Sequence, residues 1–595
     1  MNVEENYMLK KKKSPAQTKN IETNEQQSKY NFATGSSSNQ ASSSNKERID
    51  TINENAIQPD LLKPSTICQY CKVKKFYHEP KGFCYLDGQI LLTISNVPQE
   101  LYDLYTYKTN ESLDFHKYIR SYNNNFAFTS FGVKTDKDLC KKYKGIYTFR
   151  VQGQIYHYIN ELVPTDNKPS YLQLYFYDTE HEIQNRLNIY SELNASIINK
   201  LIQILKNNPY CSFFRHLKDI PNLKDHQIVI KSNPDLDQKI YNTPLVSQVA
   251  AIWLDDNSTS EYTTRDIIVH SSIGFKHKVE YYFGCYDPLQ YPLLFPFGEP
   301  GWHQGILKMK RKRNMVSCRE YYCYKLQIRS IYKSILLLSG RLLQQYVVDI
   351  YVKLETQRLD YLRNNQAEIR AELYQGIIDS IHIGENQGSK VGKRIILPAT
   401  FIGSPRDMRK RYMDAMALVQ VFGKPDIFLT ITCNPNWSEI KEELEPYEQP
   451  QNRPDLVKQI FGPVAAYVYV IEFQKRGLPH AHFLIILKSN SKIIAPEAFD
   501  RFVSAEIPIK VRGHYLDNQW VVPYNPYLLA KFNCHINVEI CSTVKAVKYL
   551  YKYIYKGHDR IAFHINSINN EKDIDEIQNF QSARWISSPE AVWRI

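Results

Sequence analysis

Residues 468–487 read Val468-Tyr469-Val470-Ile471-Glu472-Phe473-Gln474-Lys475-Arg476-Gly477-Leu478-Pro479-His480-Ala481-His482-Phe483-Leu484-Ile485-Ile486-Leu487. Two β-rich runs flank Lys475-Arg476-Gly477, and a three-residue hairpin loop wants its glycine at the left-handed position, where Gly477 falls. Centring the hairpin on Arg476 sets Glu472 opposite His480, with β-carbons about 5 Å apart. His482 lies two residues along on the same face, while Ala481 points to the other side. Two imidazoles and one carboxylate therefore converge, which describes a divalent-metal site with open positions able to polarise a phosphate. Gln474 shares that face and is the reserve ligand. Pro479 lacks a ladder donor, so this register needs an edge or a bulge there. The plain alternative is a solvated strand whose histidines hold nothing.

Two strands extend the pattern. Asp426-Ile427-Phe428-Leu429-Thr430-Ile431-Thr432-Cys433-Asn434-Pro435-Asn436-Trp437 reads as a buried strand ending in an Asn-Pro turn. His535-Ile536-Asn537-Val538-Glu539 puts three polar groups on one strand face, as a second polar layer for the site or an ordinary half-exposed strand. After it comes Val544-Lys545-Ala546-Val547-Lys548-Tyr549-Leu550-Tyr551-Lys552-Tyr553-Ile554-Tyr555-Lys556-Gly557. Helical spacing aligns Lys545, Tyr549, Lys552, Tyr553 and Lys556 on one stripe, with Gly557 at the C-cap. A phenol attacks phosphorus when a cation lowers its pKa, and two phenols one turn apart, each with a lysine three residues on, suit that chemistry. An exposed basic helix with aromatics in the core is the other reading.

The order Phe-Leu-Thr strand, His-hydrophobic-His strand and Tyr-x-x-Lys helix resembles the HUH replication-initiator endonucleases of rolling-circle systems. The tandem Tyr549-x-x-Lys552 and Tyr553-x-x-Lys556 narrows the resemblance to Helitron rolling-circle transposases. Further stretches are similar to the Helitron-like N-terminal region: Asp287-Pro288-Leu289-Gln290-Tyr291-Pro292-Leu293-Leu294-Phe295-Pro296, Gly340-Arg341-Leu342-Leu343-Gln344-Gln345-Tyr346, Leu397-Pro398, and Phe401-Ile402-Gly403-Ser404-Pro405. The resemblance spans about 64–595 and implies metal-dependent nicking and strand transfer on single-stranded DNA at transposon ends. It implies Mg or Mn on His480 and His482 with Glu472 as third ligand, and Tyr549 and Tyr553 as nucleophiles taking a 5′-phosphate. Lys552 and Lys556 would then position phosphate or stabilise the phenolate, while Tyr551 and Tyr555 pack.

The chain departs from that family in two places. Full Helitron proteins continue into a helicase, whereas this sequence stops at Trp593-Arg594-Ile595 and carries no phosphate-binding loop. A helicase would then act in trans. Relatives also usually carry an extra helix where this chain runs from Arg453-Pro454-Asp455-Leu456-Val457 to Gly462-Pro463-Val464. A catalytically silent DNA-binding descendant, or a fragment of a helicase protein, are the rival expectations.

The 595 residues carry Lys+Arg 75 against Asp+Glu 62, a net charge of +13, which favours a polyanionic partner. Aromatic residues make up 13%, with 44 tyrosines, which suits half-buried sheets and surfaces that stack on bases. No apolar stretch approaches the ~20 residues of a membrane helix, and the start lacks the order of a signal peptide. Eleven cysteines so thinly spread make no disulfide scaffold, so a reducing interior, cytosol or nucleus, is expected, and the nucleus is the localisation taken for the chain.

The fold class expected is α+β and multidomain: an antiparallel-sheet HUH core preceded by a helical section and a strand-rich N-terminal unit. Residues 1–63 read as a disordered basic, Ser-rich tail. Residues 64–89 hold Cys68-x-x-Cys71 and Cys84, a zinc knuckle with His78 as natural fourth ligand; unpaired thiols are the alternative. Such a zinc is structural, and relatives resemble this region in carrying a cysteine-rich finger. Residues 90–304 form a mixed DNA-binding unit with β-like runs at 90–94, 126–131, 146–151 and 172–177. In the helical section, 305–400, the spacing of Tyr324, Ile328, Ile331, Ile335 and Leu338 predicts one amphipathic helix, and a second follows over roughly 342–373. Lys308, Lys310, Arg311, Lys312 and Arg313 are a plausible phosphate clamp. The HUH core occupies 401–570, and 571–595 is a truncated C-terminal segment.

Overall fold

The computed structural model describes residues 60–107, 109–135, 148–159, 162–164, 168–219, 282–309, 315–329, 334–372, 395–461, 468–541 and 575–595, with short breaks in 60–107 and 468–541. Strand pieces at 226–231, 252–254, 266–268 and 277–278 are also described. The described residues mix helices with small antiparallel sheets, so the α+β class holds.

The cysteine segment opens the chain as a hairpin of β1 (Thr66–Ile67) and β2 (Lys74–Lys75). Helices Gln99–Tyr105 and Asn110–Phe126 follow, the second started by Thr109, whose side chain accepts from the Ser112 N–H. Next come β3 (Ser130–Thr135) and β4 (Arg150–Ile159), an antiparallel pair with a register shift between Gly132 and Lys134. Short strands β5 (His226–Lys231), β6 (Ile252–Leu254) and β7 (Asp266–Ile268) form a separate sheet, while β8 (His277–Lys278) pairs with β4.

Helix Arg341–Asn364 crosses the inner face of β4 and carries the main core, with Leu342, Leu343, Tyr346, Val347 and Val348 fully buried. It brings charge into that core under strict pairing. Asp349 accepts from His157 Nε2 at 2.7 Å, Tyr291 at 2.7 Å and Tyr286 at 3.0 Å. Lys353 Nζ lies 2.6 Å from the Tyr322 hydroxyl and 3.3 Å from Asp287. Buried charges persist only when so satisfied.

Helix Pro405–Phe422 starts on Ser404, which accepts from the Asp407 N–H, and stops at Gly423, φ +85°. It leads into β9 (Ile427–Thr432), β10 (Val468–Phe473) and β11 (Pro479–Ile485). The pair β12 (Lys510–Val511) and β13 (His514–Tyr515) precedes helix Pro526–Phe532 and β14 (His535–Ile540). The second main sheet runs β10-β11-β9-β14, antiparallel throughout. Its apolar face (Leu429, Ile431, Ile536, Val538) packs on Trp437, Val503 and Leu528. The final segment forms helix Glu576–Ala583, β15 (Trp585–Ser587) and helix Ser588–Arg594.

Several expectations are corrected. Residues 172–177 are not a strand: Tyr171–Tyr175 is a 3-10 helix, because Ser170 and Gln173 cap one another and Leu172, Leu174 and Tyr175 all reach the core. The single helix through Tyr324 and Leu338 is two, Cys318–Lys325 and Ile335–Leu338. Between them Ile328 O accepts from Lys74 N at 2.8 Å and Arg329 bridges Val73, so the chain leaves the helix to hold the cysteine hairpin. Within 571–595, read as a C-terminal segment, β15 pairs with β4 in the N-terminal unit's sheet. Between β9 and β10, the residues from Pro454 onward form a short helix, Pro454–Phe461.

Candidate active site

The hairpin expected from Glu472 to His482 forms in the expected register, with Glu472 opposite His480 and Val470 opposite His482. Gly477 takes φ +85°, and the turn closes through Gly477 N to Gln474 O at 2.8 Å and Gln474 N to Leu478 O at 3.0 Å. Pro479 is the first residue of its strand, where a missing donor costs little. Gln474 sits in the turn beyond the last ladder pair, Phe473–Pro479.

Alternation then assembles one polar face across four strands. Along one rung stand Glu472, His480, Thr432 and His535; along the next, Val470, His482, Thr430 and Asn537. His482 is 9% exposed, and its Nε2 lies 3.4 Å from Glu472 Oε2. Its Nδ1 is hydrogen bonded to the Thr430 hydroxyl at 3.0 Å, and its ring stacks on Phe428 with centroids 5.8 Å apart. Thr430 thus orients one ring nitrogen and leaves the other aimed at the carboxylate, as supporting partners of a ligating histidine do.

His480 departs from the expected convergence. Its ring lies against Thr432, 3.2 Å from Nε2 to the hydroxyl, and 6.0 Å from the His482 ring centre. Glu472, His480 and His482 therefore do not share one ligation sphere, although their β-carbons face the same way. Imidazole and carboxylate are donors of the type a divalent ion takes, but among the described residues only the three cysteines have their ligand atoms gathered together. For His480 the cause is local: Thr432 sits directly opposite it on β9 and captures the ring.

The other face-mates are further off. Asn537 Nδ2 donates to Glu539 Oε1 at 3.1 Å, and β14 is separated from the histidine strand by β9. Helix Pro405–Phe422 closes the far end of the same face, with Ala415, Tyr412 and Val419 on Phe428, Leu484 and Val470. Asp426 pins that end, accepting from Leu487 N at 2.7 Å and Lys492 Nζ at 2.8 Å. Tyr549, Lys552, Tyr553 and Lys556 lie outside the described residues, as do Lys310, Arg311, Lys312 and Arg313. Lys308 is described and pairs with Glu320 at 2.6 Å, so a phosphate would have to displace that carboxylate. Thr430 and Thr432 escaped the sequence reading, although their alternation in Phe428-Leu429-Thr430-Ile431-Thr432 was the signal for them.

At the front of the chain, Cys68, Cys71 and Cys84 are buried with their sulfurs within 4.8 Å of one another, a group that could hold a metal such as zinc. Cys68 N donates to Val73 O at 2.9 Å and Lys72, at φ +57°, returns its N–H to Cys68 O at 3.0 Å, which closes the knuckle. Burial alone would push the Cys68 thiol up, but the backbone N–H groups of Cys71 and Tyr70 aim at its sulfur and bring it below its ordinary value. Burial pushes Cys71 up. His78, the expected fourth ligand, lies outside the described residues.

Residues 321–461 and 456–485 match the family model described as the Helitron helicase-like domain at the N-terminus. The match relates this part of the chain to Helitron proteins; it takes in helix Arg341–Asn364, Glu472, His480 and His482, and ends before β14. Its two pieces overlap at 456–461, within helix Pro454–Phe461. No curated protein matches the sequence. Among the described residues no helix is long and apolar enough to cross a membrane.

Proposed function

We propose that this chain is the endonuclease part of a Helitron-type rolling-circle transposase, which cuts single-stranded DNA at transposon ends and passes the cut strand on through a 5′-phosphotyrosine. One observation carries the reading: Glu472, His480 and His482 stand on adjacent rungs of one antiparallel sheet, inside the stretch related to Helitron proteins. A Mg or Mn ion bound there supplies positive charge that withdraws electron density from a phosphate oxygen. For this chain the change needed is a turn of the His480 ring off Thr432 towards Glu472.

The phenol oxygen of Tyr549 or Tyr553 attacks phosphorus and gives up its proton. The P–O3′ bond breaks, and the departing oxygen takes a proton to become a 3′-hydroxyl. Bond energy is kept in the new P–O(Tyr) ester, so rejoining needs no ATP. Lys552 and Lys556 hold the phosphate or the phenolate. Nuclear localisation belongs to the same reading.

The test is a labelled single-stranded oligonucleotide incubated with the protein and Mn, then run on a denaturing gel. A covalent adduct is expected, and it should vanish in the Tyr549→Phe/Tyr553→Phe double variant and fall at least 100-fold in His482→Ala. The position of the His480 ring favours a second reading, a DNA-binding descendant without chemistry. Salt-sensitive binding with no adduct at any Mn concentration would establish that reading instead.

A further inference from the structure

Among the described residues, the first sheet has an outward face that joins neither the core nor the proposed cutting site. Inward, Phe131, Val151, Ile155, His157 and Ile159 join the main core. Outward, β4 presents Arg150, Gln152, Tyr156 and Tyr158, all half-buried, with Gly132 and exposed Lys134 from β3 and Trp585 from β15 beside them.

The aromatics on this face are arranged as plates. The Tyr156 and Tyr158 rings lie 5.8 Å apart at 35°. Gly132 lets the Tyr158 ring lie close over β3: a Cβ there would come within 2.7 Å of Tyr158 Cε2. The Arg150 guanidinium stands 5.0 Å over the Trp585 ring. The outward positions of these three strands hold lysine and arginine and no carboxylate among the described residues.

We infer that this face is a stacking platform for single-stranded DNA, separate from the Glu472–His480 hairpin. Flat aromatic faces with interleaved cations bind unpaired bases, because every base has a π-face and every nucleotide a negative phosphate. A duplex hides its base faces within its own stack, so the platform discriminates against it. The placement suits a feed towards the cutting site. A Cβ on Gly477 at the hairpin turn would lie 3.3 Å from Thr148 Oγ1 and 3.2 Å from Pro589 Cγ. Those residues sit just outside the Arg150–Ser587 end of the platform. The Phe473 and Trp593 rings meet there at 5.9 Å.

The inference takes its substrate class from the proposed nuclease, so the experiment measures binding without cutting. The full chain carrying Tyr549→Phe/Tyr553→Phe is titrated against a fluorescent 20-nucleotide single strand, with no added Mg or Mn, and anisotropy is read. Tyr156→Ala, Tyr158→Ala and Trp585→Ala should each weaken binding about tenfold or more, while Tyr158→Phe stays within about twofold. Lys134→Glu, at an exposed position, should weaken binding several-fold and flatten the salt dependence. Unchanged affinity in the alanine variants, or a parent that prefers duplex or RNA of the same sequence, overturns the platform and leaves the nicking test untouched. If an alanine variant melts early, Lys134→Glu and Gln152→Glu decide, since neither removes core volume: parental affinity in both overturns the proposal.

Discussion

Thr430 and His482 show how much one side chain depends on its neighbour in the ladder. The hydroxyl holds Nδ1 and thereby presents Nε2 to Glu472. Thr430→Val keeps the shape and removes that hold, so Mn affinity measured by calorimetry should drop by about 10–100-fold. Thr432→Val has the opposite expectation: it frees the His480 ring, and Mn should bind at least as well as in the parent. Away from the site, Glu448 is a second sensitive residue. Burial drives its carboxyl up from an ordinary 4.5 to about 7, against the pull of Arg453. Its Oε1 has no hydrogen-bond partner among the described residues. Between those two pH values the folded chain binds the proton and the unfolded chain does not, so stability falls as pH rises through the window. Glu448→Gln should remove that fall and leave the variant more stable than the parent at pH 8, by about 3 kcal/mol at most, in urea melts. Neither Thr430 nor Glu448 was legible as sensitive in sequence, because burial and the identity of the facing residue are set by other strands.

At the scale of elements, the hairpin was readable because its determinants are local. A glycine able to take φ +85°, two β-rich arms and period-two alternation suffice for the register. Gly477→Ala tests this: the left-handed strain and the close approach of Pro589 and Thr148 should cost about 1–2 kcal/mol, read as a lower urea midpoint with unchanged m. The helix expected through Tyr324 and Leu338 failed for the converse reason. Its apolar period is genuine, but the backbone of Ile328 and Arg329 finds a better partner in the cysteine hairpin. That hairpin is in turn tied to the sulfur cluster. Zinc uptake by this group is the expectation to test by elemental analysis, and Cys84→Ser should abolish it.

Across the whole molecule, the last twenty residues unite distant parts of the chain. Arg584 is fully buried, its Nε 2.5 Å from Glu355 on the long helix and its Nη1 2.7 Å from Gly153 O on β4. Arg584→Ala leaves the buried Glu355 carboxyl without its partner, which should cost about 3–5 kcal/mol and lower the thermal midpoint by several degrees. Helix Ser588–Arg594 also packs against Pro454–Phe461 from the second unit, so the same change should loosen the seat of the Glu472–His482 hairpin.

The sequence alone determined the α+β class, the cysteine knuckle and the pairing of Glu472 with His480, each a matter of neighbours along the chain or across one turn. Tertiary structure alone decided that Thr432 holds His480, that β9 stands between the histidines and Asn537, and that β15 joins the first sheet. Those outcomes come from long-range partners competing for the same backbone and side-chain groups, and partners far apart along the chain leave no period in the sequence by which to find each other.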